Sequence, residues 1–395
     1  MSGLFPCRPA DPGHECPAVV AAGLLAAGEN WTVAVESAEQ ALAAPACREN
    51  ALCVSRALAT LVCAGELVAA DAHSLALLDE GSGDRAIALL AQACVARRTG
   101  DLARCSALLA GLRHDGVAEE IRPVVLLWTV EDFVVRGEPR DAEAALLAHE
   151  ADAGHPLLHA AEAVVAMARG RPRDALQANL ACGRALAGAG VVNPAVLPWR
   201  YRASRAALAC GDNDDAARLA MEEHAAAARW GEPGTLGLSL SAVAGANPPD
   251  GEDLLAYERS IRLLEMAHAR LELVEVLCDY GDRLTGHGKQ VVAREICTRA
   301  RATALDIGAT ALVRRVDEAL GGVASRDPEP VLTPVEAEVA RLVRTGLANR
   351  EIASRLAMAT RTVELHLTRV YRRLGLSGRR ELQVTRWFPV PEDPR

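Results

Sequence analysis

Aromatic residues and lysine are nearly missing from this chain. Phe, Trp and Tyr make up 3% of its 395 residues, and Lys289 is the one basic residue that is not arginine. So few large rings exclude an interior built on aromatics. With 50% of the chain apolar, the core has to be Ala, Leu and Val, which favours closely packed helices over a β-sandwich. The preference for arginine reads as high-GC codon usage rather than as mechanism. No apolar run is long enough to span a membrane. The opening MSGLFPCRPADPGHECP lacks the apolar centre of a signal peptide. There is no H-E-x-x-H, no G-x-S-x-G and no glycine-rich dinucleotide turn, so no enzyme activity and no cofactor are expected. His14-Glu15 and His159 are isolated and read as structural. No alternating strand–helix pattern supports a receiver domain.

Eleven cysteines are present, none after Cys297 and none in a C-x-x-C pair. Most lie among Ala and Leu, as do Cys94, Cys105, Cys182, Cys210 and Cys297. They read as small buried thiols suited to a reducing cytoplasm, rather than as disulfides or zinc ligands.

Charge divides the chain. Residues 331–395 hold 12 Arg against 7 Asp and Glu, a net of +5, and the whole chain is −9, leaving −14 for residues 1–330. An acidic body with a basic end fits a protein that meets nucleic acid through one domain.

Leu332 to Leu382 carries the most definite pattern. Thr333, Pro334 and Glu336 compose a capping box with proline at the first helical position. Val335, Val339, Leu342 and Val343 form an apolar stripe, and Gly346 is placed to end the helix. Asn349 reads as the cap of a short second helix, with Glu351 in its first turn and Ile352 and Leu356 pointing inward. Ala353 is small enough for a crossing helix. Ala357 to Ala359 make the short turn a helix-turn-helix requires, and Thr360 is expected to cap the third helix. There Val363, Leu367, Val370 and Leu374 share one face, while Arg361, Glu364, Leu365, Thr368 and Arg372 share the other. Leu365 on the polar face would suit a thymine methyl. Arg369, Arg372 and Arg373 are placed to meet phosphates. Gly375 supplies the stop, and Ser377 to Val384 reads as a fourth helix.

The strings LTPVEAEVARLV, GLANREIASRL, TRTVELHLTRVYRRLG and SGRREL resemble the LuxR-type helix-turn-helix, a four-helix DNA-binding domain of bacterial transcription factors. The chain departs from that family at Val335, where arginine is usual, and in the loop Ala357, Met358, Ala359, Thr360. The resemblance implies that Glu364, Leu365 and Thr368 reach base edges. It places Thr362, His366, Arg369 and Arg372 near the backbone or flanking bases. Glu364 is an acceptor only, so it would either take a hydrogen bond from cytosine N4 or repel phosphate. His366 reads equally as a helix-packing residue.

The acidic body shows a recurring glycine followed five positions later by a small residue. The pairs are Gly65/Ala70, Gly100/Cys105, Gly137/Ala142, Gly170/Ala175, Gly211/Ala216, Gly251/Ala256 and Gly288/Ala293, with Gly28 a possible first member. Successive glycines from Gly65 are 35, 37, 33, 41, 40 and 37 residues apart. Such spacing suits stacked helix pairs of the tetratricopeptide kind, degenerate here because the usual aromatics are missing. Repeats leading through PWRYRASRAALACGDNDDAARL and GATALVRRVDEALGG into such a domain resemble the C-terminal half of the large ATP-binding LuxR regulators. No G-x-x-x-x-G-K-[ST] phosphate loop is present; TGHGKQ around Lys289 reads as a repeat turn, so ATP-driven switching by this chain alone is not expected.

The expectation is therefore an all-α chain, a tetratricopeptide-like superhelix followed by a four-helix LuxR-type domain. Its divisions are a partly disordered segment over 1–27, repeats over 28–319, a linker over 320–331, the DNA-binding domain over 332–385 and a tail over 386–395. GANPPDG, at 245–251, reads as a long loop within the array. The expected function is a cytoplasmic regulator that binds double-stranded DNA as a homodimer through Thr360, Arg361, Thr362, Glu364, Leu365, His366, Thr368, Arg369, Arg372 and Arg373. Its repeats would sense a small-molecule or protein effector. The competing expectation is a protein-interaction scaffold with secondary or vestigial DNA binding.

Overall fold

The computed structural model describes residues 16–80, 85–149, 154–247, 251–326, 332–374 and 378–384; the side chains of 115, 322–326, 372–374 and 384 lie outside that description. Every regular element among the described residues is a helix. In chain order they are α1 (Pro17–Ala27), α2 (Trp31–Ala43), α3 (Pro45–Arg48), α4 (Ala51–Cys63), α5 (Leu67–Glu80), α6 (Arg85–Thr99), α7 (Leu102–Asp115) and α8 (Arg122–Val135). Then come α9 (Pro139–Leu147), α10 (Pro156–Ala168), α11 (Pro172–Gly188), α12 (Trp199–Cys210), α13 (Asn213–Trp230), α14 (Pro233–Ala246) and α15 (Glu252–Met266). The last are α16 (Arg270–Gly286), α17 (Gln290–Asp306), α18 (Thr310–Arg326), α19 (Pro334–Arg344), α20 (Asn349–Arg355), α21 (Thr360–Leu374) and α22 (Arg379–Val384). The chain divides into two compact units, residues 1–323 and 324–395.

The first unit is a helical-repeat array, and its turns explain the glycine period. At Gly100, for example, φ is +84°, and the next residue, Asp101, donates its N–H to Ala96 O at 2.8 Å. This six-to-one bond closes one helix, and Asp101 caps the next by accepting the Arg104 N–H. The linkage between helices is thus a left-handed glycine plus one capping residue. The same bond recurs at Glu66, Glu138, Arg171, Asp212 and Lys289. The small residue five positions after the glycine then falls one turn into the following helix, where the paired helix crosses. Ala70, Cys105, Ala142, Ala175, Ala216 and Ala293 are all buried.

Several details differ from the sequence expectation. Of the segment 1–27, read as partly disordered, residues 1–15 lie outside the described residues, and Pro17–Ala27 is a helix with Ala18, Ala21 and Leu25 fully buried. Its apolar residues surround the whole circumference, so no one-sided period marks it. At Gly28 the buried small residue is Ala34, six positions on, whereas Val33 is exposed. Gly251 stands at the N-terminal cap of α15 rather than in a one-residue turn, and Ala256 is half-buried. The period also misses Gly231, Gly308 and the α15–α16 turn, where His268 itself adopts φ +52°. Finally, α18 runs through Leu320 to Arg326, into the stretch read as a linker. Ala319 and Leu320 pack on the neighbouring core, which carries the helix past Gly321 and Gly322 to Arg326; residues 327–331 lie outside the described residues.

The array curls until its early helices meet later ones. α6 packs against α16. The Asn193 side-chain amide donates to Leu25 O at 2.8 Å, and Val192 N–H donates to Ala26 O at 2.9 Å. Trp230, at the end of α13, lies buried with Leu25, Ala34 and Ala64 and donates its indole N–H to Cys63 O at 3.3 Å. Removing this ring should open the seam between α1–α4 and α13. Trp230→Ala is expected to cost about 3–5 kcal/mol in urea unfolding of the full chain. A loss below about 1 kcal/mol, the scale of an ordinary surface substitution, would show that the seam bears little of the stability.

Candidate functional site

The second unit is a small helical domain whose entry is fixed by the capping box. Thr333 Oγ1 accepts the Glu336 N–H at 3.3 Å, and Glu336 Oε2 accepts the Thr333 N–H at 2.9 Å. Val339, Leu342 and Val343 are buried as the stripe requires, but Val335 is exposed. Its place in the first turn lies off the face that α21 covers. Gly346 takes φ +89° and closes α19.

Two expected caps sit one residue away from their assigned places. Ala348 is the N-cap of α20; its N–H is taken by Glu351 Oε2, and Asn349 is already helical. Ala359 O accepts the first bonds of α21, from Thr362 and Val363, so Thr360 is the first helical residue. The turn between the helices is as short as expected. Ala357 adopts φ +51°, and Met358 N–H bonds back to Ala353 O at 3.0 Å.

The freed asparagine serves another purpose. Arg379, opening α22, donates to Asn349 Oδ1 at 2.7 Å and also to Leu347 O. Gln383 Nε2 donates to Val343 O at 3.3 Å. These bonds pin the fourth helix to the α19–α20 turn. No local spacing rule reveals Arg379 as a positioning residue, because its partners lie 30 and 32 residues earlier. The fourth helix begins at Arg379, later than Ser377; Ser377 and Gly375 lie outside the described residues.

Helix α21 separates its faces as the 3.6-residue period dictates. Val363, Leu367 and Val370 are buried against Ile352, Ala353 and Val339. Arg361, Thr362, Glu364, Leu365, Thr368 and Arg369 are exposed, and Leu365 is 52% exposed. Thr360 is half-buried. Thr368 Oγ1 donates to Glu364 O at 2.9 Å, which leaves its lone pairs toward solvent. His366 is half-buried, and its Nδ1 has no hydrogen-bond partner among the described residues. The side chains of Arg372, Arg373 and Leu374 lie outside the described residues. Arg350 and Arg355 of α20 are also exposed, adding positive charge that the sequence reading did not single out.

The first unit contains a cavity of about 520 Å³ bounded by helices of both halves of the array. Leu58, Leu90, Leu127 and Trp128 line its apolar part. Its charged part holds Arg97, Arg98, Glu131, Arg202, Glu223 and Glu272. Glu131 Oε2 lies 2.6 Å from Arg97 Nη2, and its other oxygen accepts from Arg202. Burial pushes the Glu131 carboxyl up, but the two arginines outweigh it and hold the group below its ordinary value. Glu223 has no such relief. It is 2% exposed, its Oε2 is unpartnered, and burial raises its carboxyl to about 8 against partial compensation from Arg200. Arg98 Nε, Arg202 Nη1 and Glu272 Oε2 also lack hydrogen-bond partners among the described residues. The cavity therefore offers unsatisfied donors and acceptors beside an apolar wall. Sequence reasoning missed it because its lining is drawn from helices far apart in the chain.

Comparison with known proteins bears on the second unit. Residues 330–385 match the family described as GerE, bacterial regulatory proteins, luxR family. Rv0890c of Mycobacterium tuberculosis (strain ATCC 25618 / H37Rv), named as an HTH-type transcriptional regulator, is 55% identical over 51 residues, 13% of this chain and 6% of the relative. GfsR of Streptomyces halstedii, also named as an HTH-type transcriptional regulator, is 34% identical over 111 residues, 27% of this chain and 45% of its own. The chain thus spans less than half the length of either relative. The tetrathionate response regulatory protein TtrR of Salmonella typhimurium is 33% identical over 153 residues, covering 33% of this chain and 74% of TtrR. Among solved structures, a Rap protein complexed with competence and sporulation factor aligns with a TM-score of 0.43 at 12% identity, over 78% of this chain and 97% of that one. With the capped helices, the short turn and the polar third-helix face already in place, these matches make the chain a member of the luxR family of bacterial regulatory proteins.

Proposed function

We propose that this chain is a sequence-reading transcriptional regulator that docks α21 in the major groove of double-stranded DNA and binds an effector in the cavity of its repeat unit. The observation that carries the DNA-binding half is the outward face of α21, where Glu364, Leu365 and Thr368 stand exposed at groove-reading spacing between Arg361 and Arg369. Glu364, Leu365 and Thr368 read base edges; Thr360, Arg361, Thr362, His366, Arg369, Arg372 and Arg373 position the helix on phosphates and flanking bases. Two copies bind as a homodimer on half-sites about one helical turn, roughly 34 Å, apart. The acidic body disfavours non-specific contact with DNA.

The sensing half rests on the cavity. Its volume lies in the usual range for a small-molecule site, and its polar atoms are few and convergent. Unpartnered atoms of both signs favour a polar, ionisable small molecule with an apolar portion. A regulator of this kind works in the cytoplasm; among the described residues no helix is long and apolar enough to cross a membrane.

Selection of fragmented genomic DNA on the full-length protein at about 150 mM salt tests the reading, because non-specific phosphate binding is weak there. Recovery of an inverted repeat is the expected result. With that operator, Arg369→Ala should weaken binding across sequences and lower the salt slope by about 1. Thr368→Ala should instead relax discrimination at one position by about 1–3 kcal/mol. Equal affinity of both variants and the parent in a salt-controlled titration would place the contact surface elsewhere.

Glu223 supplies a separate check on the cavity. Its folded-state value near 8 lies above the unfolded carboxyl value of 4.5. The folded state therefore holds the proton more tightly, and the associated stability is present at low pH and is lost as pH rises from 4.5 through 8. Glu223→Gln, which cannot ionise, should raise Tm relative to the parent at pH about 8.5, where the parent's carboxyl is charged, and gain little at pH about 5. An identical Tm difference at both values would remove the raised carboxyl from the account.

A further inference from the structure

At the start of the array Cys16 meets Cys47 and Cys53, 31 and 37 residues later. Cys16 occupies the N-cap of α1, Cys47 lies in α3 and Cys53 in the first turn of α4. Cys16 Sγ is 3.6 Å from Cys47 Sγ and 3.7 Å from Cys53 Sγ, and all three sulfurs lie within 4.8 Å of one another. All three are free thiols. Among the described residues no other group of His, Cys, Asp or Glu brings three such ligand atoms together.

We infer that Cys16, Cys47 and Cys53 form a three-thiolate site for a thiophilic divalent cation, of which Zn²⁺ fits best. In a tetrahedral zinc site the sulfurs lie about 2.3 Å from the metal and hence about 3.8 Å from one another. Two edges of the triangle already have that length, and the third is no longer than 4.8 Å. Cys105 and Cys182 lie singly inside apolar clusters. These three sit at the edge of one, packed against it on one side, and also face one another, which core filling alone does not require.

A neighbouring cation gives a second, independent indication. Arg56 is 7% exposed, and its Nε has no hydrogen-bond partner among the described residues. It stands three residues after Cys53 on α4, one turn along the same helix. A buried, incompletely satisfied guanidinium is costly beside neutral thiols. Three thiolates around Zn²⁺ carry a net charge of −1, which Arg56 would neutralise as an outer-sphere partner. Loading requires all three sulfurs as thiolates, so any thiol protons are released to solvent. Three protein ligands leave a fourth position for water or an added ligand. The bound ion would fasten the start of α1 to the α3–α4 corner. Because α1 also carries the carbonyls of Leu25 and Ala26 that receive Asn193 and Val192, the clamp would support the seam that closes the array.

The full-length protein, reduced and stripped with a chelator, is titrated with Co²⁺ and then Zn²⁺. One Co²⁺ per chain is expected, with thiolate-to-cobalt charge-transfer absorption that Zn²⁺ displaces stoichiometrically, and Zn²⁺ should raise Tm. Cys47→Ser and Cys53→Ser should each weaken binding by at least about tenfold, since losing a ligand exceeds the effect of losing an outer-sphere partner. Cys297→Ser should bind as the parent does. Alkylation of the unmutated protein guards against misfolded variants: Zn²⁺ should protect Cys16, Cys47 and Cys53 and leave Cys210 unprotected. The inference is overturned if the reduced protein shows no cobalt charge-transfer band, if the band survives in Cys47→Ser and Cys53→Ser, or if Zn²⁺ leaves the three thiols equally open to alkylation.

Discussion

Glu131 held between Arg97 and Arg202 is the interaction on which the closed form of the array depends. The three side chains come from α6, α8 and α12, and the carboxylate is 7% exposed. A carboxylate so buried is tolerable only when opposite charges meet it at hydrogen-bond range. Removing one partner from such a buried group typically costs about 3–5 kcal/mol, because the remaining charge is stranded. Arg98 repeats the logic more loosely, reaching Glu232 at 3.5 Å, while Glu232 caps α14 through the Gly234 and Thr235 N–H groups. The curl of the repeats and the charge inside them therefore require each other. An open arc would solvate these groups singly; the closed one has to pair them and leaves a few atoms unmatched.

Small residues make that closeness attainable. A Cβ added at Gly100 would stand 2.7 Å from Ile307 Cγ2, so the glycine serves the approach of α17's end as well as its own turn. A Cβ at Gly183 would meet the Trp199 ring at 2.5 Å. The scarcity of aromatics has the same effect: with Ala at the crossings, helix axes come near enough for arginine and glutamate on neighbouring helices to touch.

The local rules of helix geometry made much of this visible in the sequence. The capping box at Thr333, the two faces of α21 and the period of the interhelix glycines all depend on contacts within a few residues, where spacing and propensity speak directly. Asn349 and Thr360 are cap-favouring residue types, yet each stands one position inside its helix, because here Glu351 and the carbonyl of Ala359 do that work. Helix α1 left no period because it is apolar all round. Arg379 on Asn349, Glu131 between its arginines and Cys16 on Cys47 and Cys53 are pairings across 30 residues or more. Nothing local selects such partners, so only the folded chain reveals them.

The single-glycine turns have a mechanical consequence. A linkage of one left-handed residue and one cap has little slack, since its N–H groups bond back to the preceding helix and the cap's carbonyl accepts the first bond of the next. Helices joined in this way cannot absorb a displacement by reshaping a loop, unlike those joined by the longer connections α7–α8, α9–α10 and α11–α12. They can only pivot as rigid levers about the glycine. A displacement of one helix is therefore handed to its hairpin partner as a rotation, while the longer connections between hairpins are where the array has slack.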